Sequence, residues 1–305
     1  MFRFLFKRLC HGLAVVWVVA TLTFILLRLA PGGPFDRERK LPPEVLANVE
    51  AKYHLNESLF SQYLRYLTGL AYLDLGPSYK YLDRGVNQII AETFPTSALL
   101  GFLALVFAVM FSFPAGVVAA QFRNSWLDRF TMLAATLGIS VPHFILGALL
   151  IWLFALQLGW LQAGRWDNTA SMILPAVTLG AAPAAYLAAL LRSSLIEALG
   201  EDFIRTARAK GLRESAVLLK HTLRNSLVPV LTVMGPLVAA LVTGSFVVEY
   251  VFAIPGMGRF FITAVTDRDY PLIMGVTLVY TALLVAANLL VDLLYLAVDP
   301  RIRVY

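Results

Sequence analysis

The stretch Thr93–Phe122, TFPTSALLGFLALVFAVMFSFPAGVVAAQF, runs for 30 residues without Asp, Glu, Lys or Arg. A helix needs roughly 20 apolar residues to cross a hydrocarbon core of about 30 Å. This stretch also lacks the polar face of a surface helix in a water-soluble domain. It is therefore expected to cross a membrane. Five further runs read the same way: Leu9–Leu27, Phe130–Gly164, Asn168–Leu191, Asn225–Val248 and Tyr270–Val291. The run from Phe130 is long enough to hold a crossing and part of a loop. The whole chain agrees: of 305 residues 59% are hydrophobic and 14% charged, against about 25% charged in a soluble domain. The mean hydropathy is +0.74. These values exclude an ordinary soluble globule and a disordered chain. A single cysteine excludes a disulfide framework and a cysteine-based zinc or iron–sulfur site. The expected fold is an all-α membrane protein with six transmembrane helices.

Lys and Arg in the flanking segments set the orientation. With a cytoplasmic N-terminus, the inside segments are Met1–Arg8, Gln121–Arg129, Arg192–Arg224 and Asp299–Tyr305. They carry 14 Lys/Arg against 6 Asp/Glu. The outside segments Pro31–Pro95, Gly159–Ser171 and Glu249–Pro271 carry 10 against 12. Both termini are thus expected in the cytoplasm. The net charge of +6 then reports topology and gives no support for a nucleic-acid partner. The first apolar run exceeds the 7–15 residues of a signal-peptide core, so it is expected to stay as a helix. The chain divides into residues 1–30 (cytoplasmic N-terminus and first helix), 31–95 (an extracytoplasmic segment) and 96–305 (helices two to six, with a cytoplasmic loop at 197–225).

Two loops carry their own helical signals. In the outer segment, Leu41-Pro42-Pro43-Glu44 places prolines and an acid where a helix starts, and Glu44–Tyr53 follows as a short helix. Ser58 is positioned to cap a second helix with Leu59, Tyr63, Tyr66, Leu67 and Leu70 at helical spacing, ended by Asp74-Leu75-Gly76-Pro77. This segment reads either as a cover for the outer mouth or as a docking surface for an extracytoplasmic partner. In the inner loop, Glu201 and Asp202 open a helix through Lys210, Gly211 stands where a helix ends, and Ser215–Leu223 reads as a second short helix. Positive-inside topology explains the charge of Arg205, Arg208, Lys210 and Arg213. The small residues and the rigid helix–Gly–helix plan point further, to a partner surface.

Several chemistries have no motif here. There is no G-x-x-x-x-G-K-[ST], no H-E-x-x-H and no G-x-S-x-G. The sequence Gly138-Ile139-Ser140-Val141-Pro142 lacks the second glycine of the hydrolase elbow. His11, His54, His143 and His221 are scattered, and His143, after Pro142 inside a span, reads as a packing residue more readily than as a ligand. Spans two to five hold no ionisable Asp, Glu, Lys or Arg, which leaves Asp292 as the sole carboxylate near a span. A proton-driven carrier needs intramembrane relays, so energy for uphill transport is expected from outside the chain. A self-contained ion-coupled carrier and a membrane enzyme are the competing classes, and neither finds its residues. Pro114, Gly116, Gly138, Pro142, Pro175, Pro183, Gly235, Pro236 and Gly244 interrupt the spans. That pattern suits a cavity lined by kinked helices, and also plain close packing. Ser140, Thr178, Tyr186 and Asn288 are the polar candidates for a pathway lining.

The residues also carry a family resemblance. The run Phe203-Ile204-Arg205-Thr206-Ala207-Arg208-Ala209-Lys210-Gly211, followed by His221 and by Arg224-Asn225-Ser226-Leu227-Val228-Pro229, resembles the coupling loop of ABC-importer permeases of the peptide subfamily. The outer run from Gly244 through Glu249, Pro255, Gly256 and Gly258, and Asp267-Arg268-Asp269-Tyr270-Pro271, are similar to the same subfamily. So are Arg28–Phe35, Leu41–Val45, Glu50–Leu55 and the ending Asp299-Pro300-Arg301-Ile302-Arg303. Together they resemble the B-type permease subunits of bacterial oligopeptide importers over nearly the whole chain. The general pattern opens the loop with Glu-Ala-Ala; here Arg205 and Thr206 stand in the first two places, so contacts of that glutamate do not carry over.

The resemblance implies the type I importer architecture, in the bacterial inner (plasma) membrane. It implies a permease that translocates oligopeptides, with dipeptides, nickel or another small solute as the alternative. It implies no enzyme activity, no metal and no cofactor on this chain, ATP and Mg being bound by two cytoplasmic ATPase subunits. Those would grip Asp202, Phe203, Arg205–Gly211 and His221. A second permease subunit would complete a heterodimer, and an extracytoplasmic peptide-binding protein would deliver substrate. Glu249, Pro255, Gly256, Gly258, Arg268 and Asp269 are then expected at the outer gate or the binding-protein contact.

Overall fold

The computed structural model describes residues 2–35, 43–242 and 245–298. Leu41 and Pro42, Gly244, the ending Asp299–Arg303 and the side chain of Asp292 lie outside the described residues. The elements in chain order are α1 (Phe2–Leu29), α2 (Pro43–Lys52), α3 (Leu59–Ala71), α4 (Val86–Gln121), α5 (Trp126–Ser140) and α6 (His143–Leu150), which runs on as a π-helical turn, Ile151–Gln157. They continue as α7 (Thr169–Leu199), α8 (Asp202–Ala209), α9 (Glu214–Ala216), the π-helical Val217–Thr222, α10 (Leu223–Val242), α11 (Phe246–Val251), α12 (Met257–Asp267) and α13 (Tyr270–Val298). Helices dominate because lipid offers no partner for backbone N–H and C=O groups, so each apolar run must bond internally.

Among the described residues, five helical stretches are long and apolar enough to cross a membrane: Leu5–Leu29, Val86–Gln121, Thr169–Leu199, Glu214–Val251 and Tyr270–Leu290. The pair Trp126–Ser140 and His143–Gln157 makes a sixth if taken as one crossing, but it is bent by 109°. The apolar run from Phe130 is therefore not one straight helix. The cause is Pro142, whose ring disfavours helical backbone at the preceding residue; Val141 is extended, at φ −82° and ψ 120°. A second difference concerns Ser215–Leu223. It is no separate short helix, since the backbone passes through Val217–Thr222 directly into α10.

The centre of the bundle is the contact of α4 with α7. On α4 the buried Ala104, Ala108, Ser112, Gly116 and Ala120 recur every four residues, and on α7 Ala176, Gly180, Ala184 and Ala188 do the same. Two stripes of small residues let helix backbones approach closely in a membrane. A Cβ on Gly180 would stand 2.6 Å from the Ala104 carbonyl oxygen, and one on Gly116 would stand 2.9 Å from that of Ala188. Around this pair lie α10 and α13, with α1 against α13.

At one end of the bundle, α5 is tied to α7. The Arg192 guanidinium donates to both oxygens of Asp128, from Nε at 2.5 Å and Nη2 at 2.7 Å, and Asn124 N–H donates to Asp128 Oδ2 at 2.8 Å. Asp128 is buried, whereas Arg192 keeps some exposure. Removing one member of such a pair strands the other. Asp128→Ala is expected to destabilise the purified protein by about 2–4 kcal/mol, read as a lower melting temperature in detergent, with Asp128→Asn intermediate. An unchanged melting curve for both variants would count against this tie.

Candidate coupling and gating sites

The segment between α7 and α10 is built as a small rigid unit. Glu201 and Asp202 open α8, and the helix ends on Gly211, whose φ of +75° is readily adopted only by residues that tolerate left-handed backbone. Gly211 N–H donates to Arg208 O at 2.9 Å and Leu212 N–H to Ala207 O at 3.4 Å, the paired bonds of a Schellman C-cap. The turn is also bridged by side chains: Arg208 Nε donates to Glu214 Oε1 at 2.7 Å and Nη2 to Oε2 at 3.2 Å. The hydrogen bond to Glu214 raises the Arg208 guanidinium above its ordinary pKa, so the pair stays charged. Beneath, Ile204 and Ala207 pack on Val217 in a three-residue core.

The remaining residues expected in this unit divide by exposure. Asp202, Phe203, Arg205, Thr206, Ala209 and Lys210 are exposed, and Asp202 and Arg205 form only an open pair at 3.4 Å. Thr206 Oγ1 donates to Asp202 O at 3.0 Å within the helix. His221 is half-buried on the π-helical segment below. The structure thus brings α8 and the base of α10 together and leaves one face of α8 uncovered. The Gly211 turn was legible in the sequence. The Arg208–Glu214 bridge was not, because a pair six residues apart meets only once the turn is folded.

At the opposite end, Glu249 and Asp269 are both fully buried. Glu249 Oε2 accepts from Gly258 N–H at 2.7 Å and Arg259 N–H at 3.4 Å, so the carboxylate sits on the N-terminus of α12, where the helix dipole favours negative charge. Met257 N–H donates to Ser97 Oγ at 2.8 Å, which ties the same terminus to α4. Gly256 and Gly258 lack side chains for a reason: a Cβ on Gly258 would stand 2.9 Å from Glu249 Oε2, and one on Gly256 would collide with that oxygen. Phe246 stacks on Phe261 at 4.5 Å and meets Tyr280 edge-on at 4.7 Å. Glu249 Oε1 and the Tyr280 hydroxyl are buried with no hydrogen-bond partner among the described residues.

The other end of α12 is fastened separately. Arg268 closes the helix with left-handed backbone, φ 59°, and its Nη1 donates to Gly33 O at 3.1 Å. Asp269 receives Ser78 Oγ–H on one oxygen, and Tyr79 N–H at 3.1 Å and Leu272 N–H at 3.3 Å on the other. The Tyr270 hydroxyl donates to Gly32 O at 3.2 Å. The two fastenings stand about 16 Å apart along the helix. Pro255 is exposed just before α12. Glu249, Gly256 and Gly258 on one side and Arg268 and Asp269 on the other are therefore two structural clasps, not one cluster.

The segment between α1 and α4 follows the expected local plan. Ser58 Oγ accepts from Ser61 N–H at 3.2 Å to start α3, and Gly76 turns with φ +83°. Tyr63 and Tyr66 pack on Phe24 of α1, and the Tyr63 hydroxyl hydrogen-bonds that of Thr21 at 2.7 Å. Burial raises the Tyr79 hydroxyl to about 12 and also raises that of Tyr66, so both stay neutral. Glu57 is held below its ordinary pKa by the Ser61 hydroxyl and then by Arg65.

The pathway candidates do not meet. Ser140, Tyr186 and Asn288 are exposed on three different helices. Thr178 is buried and its hydroxyl is used by Leu174 O at 2.7 Å. His143 Nδ1 lies 3.2 Å from Thr178 O, and His143 lines a cavity of about 350 Å³ together with Leu179 and Pro183. Among the described residues no three His, Cys, Asp or Glu side chains gather to hold a metal.

Comparison with known proteins places this geometry. The family described as "Binding-protein-dependent transport system inner membrane component" matches residues 112–304, and its N-terminal component matches residues 1–101. The oligopeptide transport system permease protein OppB of Haemophilus influenzae is 47% identical over 305 residues, covering 99% of this chain and 100% of the relative. The dipeptide transport system permease protein DppB of Bacillus subtilis is 46% identical, over 100% of this chain and 99% of the relative. The glutathione transport system permease protein GsiC of Escherichia coli is 40% identical, over 99% of each.

Proposed function

The chain belongs to the binding-protein-dependent inner-membrane transport permeases, and on that premise we propose that it is one of two permease subunits of an ATP-driven oligopeptide importer. It is a multi-pass membrane component and a transport subunit, not an enzyme. The observation that carries the peptide reading is the end-to-end similarity to peptide permeases, which covers both long helices and loops. Both termini and α8 lie in the cytoplasm, following the excess of Lys and Arg on that side. The uncovered face of α8, with Phe203 and Arg205, is the seat of an ATPase subunit. A second ATPase serves the partner permease. An extracytoplasmic binding protein delivers substrate at the end bearing α2, α3 and α12. There Glu249 and Asp269, being buried, shape the rim, while contact falls to exposed groups such as Pro255.

Mechanism follows from rigidity. The Schellman turn and the Arg208–Glu214 bridge fix α8 to the foot of α10. A displacement of α8 by the ATPase is then passed into a membrane helix instead of being lost in a loose loop. Reconstituted with its partners, the complex is expected to take up defined peptides of three or more residues in an ATP- and binding-protein-dependent manner. The nearly equal similarity to a dipeptide permease supports a second reading, in which only dipeptides are carried. Uptake measured across peptide lengths separates the two, and ATP-dependent uptake of neither class would defeat both.

A further inference from the structure

The cavity beside the bent α5–α6 pair carries an inference that rests on the peptide-permease reading and sharpens it. It is about 350 Å³, within the size range of ligand pockets, and is lined by His143, Leu179, Pro183, Leu241, Ser245 and Phe246, with further apolar groups of α10. Leu179 and Pro183 lie 10 and 14 residues into α7. At 1.5 Å per residue that is about 15–21 Å along the helix, near the middle of a bilayer.

Two of the lining residues offer acceptors. The Thr178 carbonyl can only accept a hydrogen bond, so His143 Nδ1 carries the proton that joins them at 3.2 Å. In the neutral ring Nε2 is then left as an acceptor, and it has no partner among the described residues. The second acceptor comes from the backbone. Pro183 has no N–H, so the helical bond that Leu179 O would receive from position 183 is missing. The lining holds no Asp, Glu, Lys or Arg. A mid-membrane cavity that offers acceptors without charge is complementary to N–H donors. Lipid tails have none. A peptide has one on nearly every backbone unit.

We propose that His143 and the Leu179 carbonyl form a subsite of the translocation pathway that receives backbone N–H groups of the transported peptide. His143 is a substrate-contacting residue in this scheme, and the break at Val141-Pro142 is what delivers it to the cavity.

The test uses the assembled importer in proteoliposomes, with peptide-loaded binding protein in excess. His143→Phe is expected to lower uptake about tenfold, while His143→Gln, which keeps both a donor for Thr178 O and an acceptor, stays within about threefold of the unmodified complex. A photoreactive benzoylphenylalanine replacing Val247, at the cavity rim, is expected to crosslink to radiolabelled peptide during ATP turnover. Wild-type uptake by His143→Phe would overturn the proposal. So would equal losses in His143→Phe and His143→Gln, or crosslinks confined to lipid or to the second permease subunit. Should His143→Phe fail to assemble, His143→Gln and the crosslink still decide. A wild-type complex that transports no peptide defeats the function reading, whereas normal uptake with an indifferent His143 defeats only the subsite.

Discussion

Replacing Glu249 by alanine is expected to speed amide exchange at Gly258 and Arg259 by at least about tenfold and to lower peptide uptake by a similar factor. The carboxylate is fully buried and is the acceptor for both N–H groups at the start of α12. Alanine leaves those donors facing a void. A buried donor without a partner costs about 1–3 kcal/mol, and about 1.4 kcal/mol is one factor of ten. The alternative caps are poor, because Gly256 and Gly258 carry no side chain and Ser97 Oγ is already bonded to Met257 N–H. Glu249→Gln separates acceptor from charge. The amide oxygen still receives Gly258 N–H, and only the attraction between carboxylate and helix dipole is lost, about 0.3–1 kcal/mol in common cases and up to about 2 where partly buried. It is expected to retain most uptake, within about fivefold. Hydrogen–deuterium exchange on α12 and uptake by the reconstituted complex give the two readouts. Equal behaviour of the alanine and glutamine variants, in either direction, would refute the capping role.

The sequence and the structure agree where the determining signal is one-dimensional. Apolar length locates the membrane helices, since a backbone in lipid has no choice but to bond to itself. Ser58 and Gly211 announce a helix start and a helix stop, because a cap is made within four residues of the end it serves. Agreement ends where contacts join distant residues. Glu249 looks in sequence like an exposed outer acid, and its burial follows only when Ser97, 152 positions earlier, brings α4 against the start of α12. Asp269 is similar, since its partners Ser78 and Tyr79 lie 191 and 190 positions earlier, between α3 and α4. The small-residue stripes of α4 and α7 were visible as composition, yet their pairing depends on which helices become neighbours. His143 read as a packing residue, and its ring does bond Thr178 O, but that partner lies on another helix 35 positions away and has no signal in the sequence. The continuity of Val217–Thr222 into α10 was missed for a different reason: a π-helical turn keeps the chain helical while shifting the 3.6-residue period by which helices are recognised.

Substitutions at Ala207 and Gly211 are expected to give functional losses in a set order. Ala207 is buried with Ile204 and Val217, both fully buried. Ala207→Phe has no room there, and overpacking of this kind costs about 1–3 kcal/mol. The three-residue core is too small to absorb it, so α8 is expected to lift from the foot of α10. Gly211 is a different case, because a Cβ at that position would meet no atom within 4 Å. Any penalty there is purely one of backbone, φ being +75°. Left-handed backbone costs an L-residue about 1–2 kcal/mol, β-branched side chains tolerate it least, and asparagine tolerates it best. Gly211→Asn is therefore expected to keep ATPase co-purification and uptake close to the unmodified level. Gly211→Ala should lose part of both, and Gly211→Val most, by about tenfold. Steric blocking of a partner would instead rank these three by volume, with asparagine far worse than alanine. The order asparagine, alanine, valine thus isolates turn geometry from surface bulk. Normal assembly and uptake in Ala207→Phe and Gly211→Val together would remove α8 as the site of coupling, since a lever that works when unseated and when its hinge is strained is not transmitting the motion.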